Sequence, residues 1–304
     1  NAILSAVAAS VNGDDNSCLT MAHLDDAARE QSRRINPDGE AIVVPDARLD
    51  DVVLPTRQRA VLDSVLAAVR HRPTLTMRWK LGGHGRDHGV AALLYGPPGT
   101  GKTFCAEALA GELNRPLQRV RTSTLLSKWV GQSERNLEAA FADGRAEQAV
   151  LLIDEADSLL RSRDDGDSRH DRSLVNLLLD LVETYPGLVL LATNHVESLD
   201  DALGRRLSFR IHFPRPTFVE RGTIWTRMLP QATYRTDDVD VGDLARRFPL
   251  TGAEIRMAVM SAGIAALGRD GIVCHADLVR AATDLTDGKG QTRRIGFTGA
   301  KHDG

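Results

Sequence analysis

No run of about 18 consecutive apolar residues occurs in this sequence of 304 residues, so no membrane-spanning helix is predicted. Only three cysteines are present, and Cys18, Cys105 and Cys274 have the spacing of neither a metal site nor a disulfide framework. No secretory signal is recognisable in the first residues. These absences favour a reducing, cytoplasmic setting, with no membrane among the expected partners.

The charge is nearly balanced, because 38 Lys and Arg stand against 41 Asp and Glu and leave a net charge of −3. Such a balance provides no general attraction to nucleic acid or to an anionic membrane. Aromatic residues are scarce at 4%, whereas 42% of the residues are hydrophobic, which is enough to bury one large core and a smaller one. The composition is ordinary for a globular α/β protein.

Short apolar runs alternate with amphipathic helical patterns from about residue 90. The helical pattern is clearest in 102–113, where Ala106, Leu109, Ala110 and Leu113 share one face. Continuous apolar strands between helices indicate a parallel sheet that is covered on both faces. The expected fold class is therefore α/β, a three-layer αβα arrangement with a parallel five-stranded sheet. The five predicted strands lie at 90–95, 117–121, 149–153, 188–193 and 209–213.

After Pro214 and Pro216 the strand pattern stops and helical patterns follow. This change predicts a boundary between a large αβα domain at 49–214 and a small all-helical domain at 215–286. The tail at 287–304 is rich in Gly, Lys and Arg and is expected to be flexible. The helices of the small domain are predicted near 217–229, 240–248, 252–267 and 275–285.

The first apolar run leads directly into a glycine-rich loop. Residues 96–103 read Gly-Pro-Pro-Gly-Thr-Gly-Lys-Thr, which is the spacing of a phosphate-binding loop between a strand and a helix. Glycines let successive backbone N–H groups converge on the phosphates, and the N-terminus of the following helix adds partial positive charge. The motif predicts a P-loop NTPase that binds the phosphates of a nucleotide together with Mg²⁺.

The residues of this loop have separate expected parts. Lys102 should reach the β- and γ-phosphates, and Thr103 should ligate Mg²⁺. The nucleotide-binding set extends through Phe104, whose side chain is expected in the core together with that of Cys105. The remaining members of the set are Pro98, Gly99, Thr100 and Gly101.

Another apolar run, at 150–153, ends in two acids. Asp154 at the strand end would hold the Mg²⁺ shell through water, and Glu155 would polarise the attacking water as general base. The alternative is a helix that merely begins with acidic residues, which the helix dipole favours. The phosphate-binding loop upstream favours the catalytic pair.

The strand at 188–193 is followed by Asn194. An uncharged amide at the tip of a strand between the phosphate-binding loop and the acidic strand can hydrogen-bond both the γ-phosphate and the attacking water. The alternative is a turn-forming Asn, which is common after strands. The position of Asn194 favours the sensing role.

With these motifs in place, the chain resembles the AAA family, specifically the branch that includes katanin, spastin and related protein remodellers. The resemblance covers about 49–286, and the stretch 49–194 looks most like bacterial tandem AAA proteins, in particular their second ATPase domain. The motifs that carry it are Gly-Pro-Pro-Gly-Thr-Gly-Lys-Thr at 96–103, Asp-Glu-Ala-Asp at 154–157, Ala-Thr-Asn at 192–194, Leu-Asp-Asp-Ala-Leu-Gly-Arg-Arg at 199–206 and Leu-Thr-Gly-Ala-Glu-Ile at 250–255.

The resemblance implies that Arg205 and Arg206 are arginine fingers. They would reach the γ-phosphate of a neighbouring subunit and stabilise charge on the transferring phosphoryl group. No subunit then completes its own site, so the resemblance implies a homo-oligomer in the form of a hexameric ring or spiral. Without this context, two adjacent arginines would be read as a solvated surface pair.

The resemblance also implies the adenine side of the site. Gly252 and Ala253 match a Gly-Ala-acid turn that packs against adenine and ribose. Asp51 and Val53 align with the linker that closes over the adenine, although the usual Ile-Gly-Gly after the acid is absent. Many other AAA+ branches have an arginine sensor at the position of Glu254, and this departure favours the branch with the arginine doublet.

A tryptophan beside glycine and flanked by polar residues is a poor core pattern, so Trp129 predicts a loop that presents an aromatic side chain. In the family that the chain resembles, this segment is the central-pore loop. The aromatic packs there against an extended polypeptide, and Lys128 and Val130 pair between neighbouring subunits. Two alternatives stay open: the side chain folds back over the subunit surface, or it stacks on single-stranded bases.

The first residues carry an internal similarity, because 1–11 align with 257–267 and the following helical pattern aligns as well. We expect 1–35 to be the C-terminal lid remnant of a preceding AAA domain and 36–48 to be a linker. The absence of an initiator Met agrees with this expectation. The alternative is a chance likeness between two alanine-rich amphipathic helices.

The leading hypothesis is ATP hydrolysis that drives remodelling, unfolding or threading of a polypeptide substrate through the pore of a ring. It rests on Trp129, the arginine doublet and the Gly-Ala-Glu turn. A nucleic-acid-processing AAA+ enzyme is the alternative, but a basic pore and an inserted DNA-binding helix are not evident, so nucleic acid is not an expected partner. A third alternative is an assembly scaffold that hydrolyses little, which the presence of Lys102, Glu155 and Arg205 disfavours.

Overall fold

The computed structural model describes residues 44–79, 89–122, 132–156, 169–194 and 206–292, and the structural statements below concern these residues. The predicted lid remnant at 1–35, the central-pore segment 128–130 and Arg205 lie outside the described residues, as does the part of the linker at 36–43.

Two compact units make up the described chain. The larger unit extends to Val52 and includes Thr56–Gly96 and Lys102–Phe213. The smaller unit comprises Val53–Pro55, Pro97–Gly101 and the chain from Pro214 onward. Short pieces of the phosphate-binding loop and of the preceding linker therefore group with the helical part of the chain.

The larger unit is built around one sheet of five parallel strands. In space the strands follow the order β2-β3-β4-β1-β5. Their bounds are β1 (Val90–Tyr95), β2 (Leu117–Arg121), β3 (Val150–Asp154), β4 (Leu188–Thr193) and β5 (Phe209–His212). The predicted parallel five-stranded sheet is thus confirmed, with three strands at the predicted bounds and the other two within one residue of them.

Position in the sheet explains the composition of the strands. The central strands β1, β3 and β4 are apolar and buried along nearly their whole length, because helices cover both faces of a parallel sheet. The two edge strands β2 and β5 carry arginines between apolar residues. An edge strand tolerates such residues because one side of it has no neighbouring strand.

The described residues of the larger unit form four α-helices beside the sheet. Only α2, which follows the phosphate-binding loop, was given bounds from the sequence. The core on one face includes Phe141 and Tyr185, whose rings meet edge to face at 5.7 Å. Burial raises the pKa of Tyr185 to about 12, and its hydroxyl donates a hydrogen bond of 2.6 Å to the Ala149 carbonyl oxygen. The helices are α1 (Thr56–Pro73), α2 (Lys102–Glu112), α3 (Gln132–Ala146) and α4 (Arg169–Thr184).

The smaller unit is helical, as predicted, with a core of its own around the fully buried Trp225. Local caps fix where its helices begin: Thr217 forms a capping box with Glu220, and the Asp240 side chain accepts a hydrogen bond from the Asp243 N–H. The helices are α5 (Phe218–Met228), α6 (Val241–Arg247), α7 (Gly252–Leu267) and α8 (His275–Thr292). Among the helices of the described segments, none combines the length and apolarity that a membrane crossing requires.

The last helix differs from the sequence-based expectation. α8 was predicted to end near residue 285, with a flexible tail at 287–304, but the helix continues to Thr292. The partly buried Leu285 still packs on the core of the smaller unit, and the Thr286 hydroxyl donates to the Ala282 carbonyl oxygen at 3.2 Å. The predicted helix end near 285 is therefore wrong, because the helix continues through the glycines at 288 and 290 that suggested its end.

An ion pair joins the end of α7 to the start of α8. The Arg269 guanidinium donates to both carboxylate oxygens of Asp277, at 2.8 and 2.6 Å, and the Cys274 N–H donates to the same carboxylate at 3.2 Å. The Asp277 side chain is fully buried. The hydrogen bonds from Arg269 hold the pKa of Asp277 well below its usual range, so the carboxylate stays ionised inside the fold.

We expect Asp277→Asn to lower the melting temperature by about 3–8 °C at pH 7, because a bidentate, buried ion pair is lost. A carboxylate with a depressed pKa contributes its stability above the unfolded-state pKa of about 4 and loses it as the pH falls. The difference between variant and wild type should therefore shrink below pH 4. Asp284→Asn, on the exposed side of the same helix, is the control for calorimetry. Equal melting at pH 7, or a difference that grows in acid, would contradict this account.

Candidate functional site

The phosphate-binding loop starts at a point where the backbone is closely surrounded. Gly96 follows β1 with φ of 144°, and its N–H donates to the Thr193 carbonyl oxygen of the β4 end at 3.3 Å. A Cβ at this position would overlap the carbonyl oxygen of Phe213, which follows β5. Only glycine fits here, because the loop must leave the sheet between two neighbouring strands.

Lys102 and Thr103 open α2 and come directly after the loop. Lys102 is buried, and its ammonium group donates to the Gly96 carbonyl oxygen at 2.8 Å. The Thr103 hydroxyl donates to Asp154 Oδ2 at 3.1 Å. The lysine thus hydrogen-bonds to the first residue of the loop, and the threonine links the end of the loop to the acidic strand.

The acidic pair lies at the end of β3, next to β4 in the sheet. Asp154 Oδ1 accepts the N–H of Glu155 at 3.0 Å, and Glu155 has φ of 57°. This left-handed backbone turns the chain sharply at Glu155, whose carbonyl oxygen accepts the Thr122 hydroxyl at 3.0 Å. The two consecutive carboxylates therefore stand in different surroundings: Asp154 is half-buried and Glu155 is exposed.

Asn194 follows β4, which lies between β1 and β3 as its predicted role requires. The chain after β3 is tied to this strand, since the Ala156 N–H donates to the Ala192 carbonyl oxygen at 2.9 Å. Asn194 itself is half-buried. The phosphate-binding loop, the acidic pair and Asn194 thus leave three adjacent parallel strands at the same edge, where α/β proteins bind ligands.

These residues fit a nucleotide phosphate and Mg²⁺. A hydroxyl and a carboxylate oxygen already lie together at Thr103 and Asp154, and such hard oxygen donors are what Mg²⁺ prefers. A Cβ placed on Gly101 would meet no described atom within 4 Å, so the loop has open space on that side. Lys102 and the N-terminus of α2 supply positive charge beside that space.

Within the smaller unit, the start of α7 contacts the loop segment Pro97–Gly101. The Ala253 N–H donates to the Gly99 carbonyl oxygen at 3.1 Å, and Thr251 lies against Gly99. Gly252 and Ala253 therefore pack on the phosphate-binding loop itself; the adenine contact expected of them stays a prediction.

Glu254 has a structural role, because it caps the N-terminus of α7. Its Oε2 accepts the Thr251 N–H at 2.8 Å, and the two residues form a capping box at the N-terminus of α7. The acid that stands where other branches carry an arginine sensor thus fixes the first turn of the helix that touches the loop.

Two other residues that were predicted to contact the nucleotide, Asp51 and Val53, lie in or just after a short turn that precedes α1. Asp51 Oδ2 accepts the Arg48 N–H at 2.8 Å and closes a short 3-10 turn, while Val53 is half-buried.

Phe104, in the first turn of α2, was expected in the core, but the residue is 37% exposed, which corrects that expectation. The helix turns the next residue inward instead: Cys105 is fully buried, and burial raises the pKa of its thiol to about 12.

Arg206, the described member of the arginine pair, is held by two acids of α4. Its Nε donates to Glu183 Oε2 at 3.3 Å, and its Nη2 lies 3.7 Å from Asp180 Oδ1. These contacts give the guanidinium a defined place within the larger unit, so it is not a freely solvated surface residue.

Arg119 is a site residue that sequence reasoning missed. It lies on β2, and its Nη2 donates to Asp154 Oδ2 at 2.5 Å. The sequence did contain a signal, because two arginines interrupt the predicted apolar strand at 117–121. Neither residue follows a motif spacing, so the link to Asp154 could not be drawn from the sequence.

Comparison with known proteins agrees with this geometry. The family described as "ATPase family associated with various cellular activities (AAA)" matches residues 92–215, from within β1 to just beyond β5. The chain contains an AAA ATPase domain. The resemblance to the AAA family that the motifs indicated is thereby confirmed.

Several relatives are about one third identical to this chain over the aligned residues. The uncharacterized AAA family ATPase y4kL of Sinorhizobium fredii is 36% identical over 181 residues, 57% of this chain and 52% of that protein. The katanin p60 ATPase-containing subunit A1 of Arabidopsis thaliana is 33% identical over 221 residues, 67% and 40% of the two chains. The 26S proteasome regulatory subunit 6A of Saccharomyces cerevisiae is 32% identical over 217 residues, 66% and 50% of the two chains.

The AAA chain spans about half the length of these relatives, or less. The katanin relative supports the branch that the arginine doublet and Glu254 suggested.

We expect Glu254→Ala to destabilise the first turn of α7 by about 1 kcal/mol, because the capping box is lost. Loosening this turn should also weaken ATP binding, since Ala253 holds the loop at Gly99. Glu254→Gln is the matched control, because glutamine also completes a capping box. Thermal melting and ATP titration measure the two effects. Equal damage from Gln and Ala would show that charge, not capping, is what the position requires.

Proposed function

We propose that this AAA chain hydrolyses ATP in a Mg²⁺-dependent reaction and uses the energy to remodel a polypeptide substrate within a ring of copies. The observation that carries the proposal is the hydrogen bond of 3.1 Å between Thr103 Oγ1 and Asp154 Oδ2. It joins the phosphate-binding loop to the acidic strand, the two parts that every P-loop hydrolase needs together.

Phosphate binding falls to the loop and the start of α2. The ammonium group of Lys102 exchanges the Gly96 carbonyl oxygen for phosphate oxygens when ATP enters. Thr103 Oγ1 would hold Mg²⁺ directly and Asp154 would hold it through water. The bound ion neutralises charge on the phosphate oxygens, as in other P-loop NTPases.

Proton transfer falls to Glu155. An exposed carboxylate one residue beyond the Mg²⁺-holding aspartate can accept a proton from a water that attacks the γ-phosphate. Asn194, from the strand between β1 and β3, is suited to orient that water by hydrogen bonding.

Two features support assembly into a homo-oligomer. Arg206 is held in place by Glu183 and Asp180, which suits a guanidinium that is presented to another subunit together with Arg205. In addition, α7 exposes a stripe of large apolar side chains, from 57% exposure at Met257 to 78% at Leu267. A helix that is apolar on all sides is normally buried, and a further copy of the chain provides the cover. The stripe comprises Met257, Met260, Ile264 and Leu267.

The substrate is proposed to be a polypeptide. Lys128, Trp129 and Val130 are proposed to contact it in the pore, where an aromatic side chain gives apolar contact that tolerates many sequences. The proteasome regulatory subunit and the katanin subunit among the relatives support an AAA protein that acts on proteins.

Glu155→Gln is expected to bind ATP normally and to lower turnover about 10²–10⁴-fold, because the general base is lost while the phosphate contacts stay. With ATP bound and unhydrolysed, the variant should also sediment as a stable oligomer. Phosphate release and analytical ultracentrifugation measure the two effects. Glu138→Gln, exposed on α3, is the control.

Turnover of Glu155→Gln near the wild-type rate would contradict the assigned base. A variant that binds ATP but stays monomeric at every protein concentration would contradict the ring.

Trp129→Ala should abolish the stimulation of ATP hydrolysis by an unfolded protein, measured as the ratio of stimulated to unstimulated rate. Trp79→Ala is the matched control, because Trp79 is exposed and lies shortly after α1, outside the proposed pore segment. Stimulation by single-stranded DNA that does not depend on Trp129 would favour the nucleic-acid alternative and refute polypeptide threading.

A further inference from the structure

We propose that Arg119 is a positioning residue that competes with Mg²⁺ for Asp154 and thereby sets the Mg²⁺ concentration that nucleotide binding requires. The inference rests on the proposed function, because it concerns the same metal site. It adds a residue that lies outside the phosphate-binding loop, the acidic pair and the arginine doublet.

The Arg119 guanidinium and the hydroxyl of Thr103, the proposed metal ligand, both donate to the same oxygen of Asp154. Arg119 Nη2 donates to Asp154 Oδ2 at 2.5 Å, and Thr103 Oγ1 donates to that oxygen at 3.1 Å. For Mg²⁺ to be held directly by Thr103 and through water by Asp154, the carboxylate must accept a hydrogen bond from that water, in competition with the two hydrogen bonds that Oδ2 now accepts. The guanidinium of Arg119 therefore occupies the metal-facing side of the carboxylate.

The register of the strands explains how this contact arises. β2 is the edge strand beside β3, and Arg119 pairs in register with Leu152, two residues before Asp154. The long arginine side chain covers that distance along the strand direction and ends at the carboxylate. A shorter polar side chain at this position would not reach the carboxylate in the same way.

The ion pair between Arg119 and Asp154 is favourable without metal, yet its geometry allows Mg²⁺ to displace the guanidinium. Asp154 is only 13% exposed, so its carboxylate gains from a cationic partner, and arginine stays charged at any physiological pH. Yet only one terminal nitrogen is recorded on the carboxylate, and Arg119 is 42% exposed. Its Nε is buried with no hydrogen-bond acceptor in the part of the chain that the structure describes, so the guanidinium does not hold Asp154 as a two-pronged fork.

Two opposite consequences follow from a cation in this place. Without metal, Arg119 neutralises Asp154, which would otherwise repel the phosphates bound beside Lys102. With metal, the same charge opposes Mg²⁺ and must give up Oδ2. Removing the charge should therefore weaken metal-free nucleotide binding and strengthen the response to Mg²⁺.

The test is ADP binding by calorimetry with the full chain, first in EDTA and then across a Mg²⁺ titration. ADP avoids hydrolysis, so the readout is affinity and not turnover. Arg119→Gln should lower the Mg²⁺ concentration for half-maximal binding by about three- to tenfold, the range for a partly screened ion pair. It should also raise the ADP dissociation constant in EDTA by a similar factor.

Three further variants make the test specific. Arg119→Met keeps the apolar stem and removes the charge, so it should reproduce the shift and serves if the Gln variant folds poorly. Arg119→Lys should return the Mg²⁺ midpoint most of the way to the wild-type value, because it restores a positive charge. Arg210→Gln is the matched control: it removes one positive charge from an exposed position on β5, the opposite edge strand.

A Mg²⁺ midpoint of Arg119→Gln and Arg119→Met that equals the midpoint of Arg210→Gln, or that moves upward, overturns the inference while the proposed function stands. If ADP binding to the wild type does not respond to Mg²⁺ at any concentration, the proposed Mg²⁺ site fails and this inference fails with it. A purely structural Arg119 would change the melting temperature without moving the midpoint.

Discussion

The burial of β1 between β4 and β5 leaves almost no space around its carboxyl end, and the nucleotide site follows from that crowding. The backbone of Gly96 passes against the Phe213 carbonyl oxygen and donates its N–H to Thr193. A chain held this firmly leaves the sheet in one direction, so the loop after it starts from a fixed position. Lys102, which returns to the Gly96 carbonyl oxygen, then has a defined place with little loss of side-chain freedom on binding.

Much of the fold could be predicted because hydrophobic periodicity reports burial directly. The fully buried strands β1 and β4 were located to the residue, since a parallel sheet covered on both sides gives continuous apolar runs. Helix α1 was not predicted, although Leu62, Val65 and Leu66 have the spacing of a buried helical face. The end of α8 was predicted too early because the glycines at 288 and 290 have low helix propensity, yet the helix continues through them to Thr292.

The site was predictable where function requires a fixed spacing, and not where it depends on contacts between distant residues. The loop glycines, Lys102 and Asp154 follow motif spacings that reflect their chemistry. The bond from Arg119 to Asp154 joins residues 35 positions apart, and only the strand register brings them together. Glu254 shows the converse, because the sequence marked the residue as a departure while the structure gives its carboxylate a role in capping α7.

In the proposed homo-oligomer, the apolar stripe on α7 would couple the stability of the chain to its concentration. Met257, Met260, Ile264 and Leu267 are exposed in the single chain, which is unfavourable in proportion to the apolar area in contact with water. By mass action, a second copy that covers this helix face would favour association as the concentration rises. On dilution, the proposed assembly would lose this contribution to its stability.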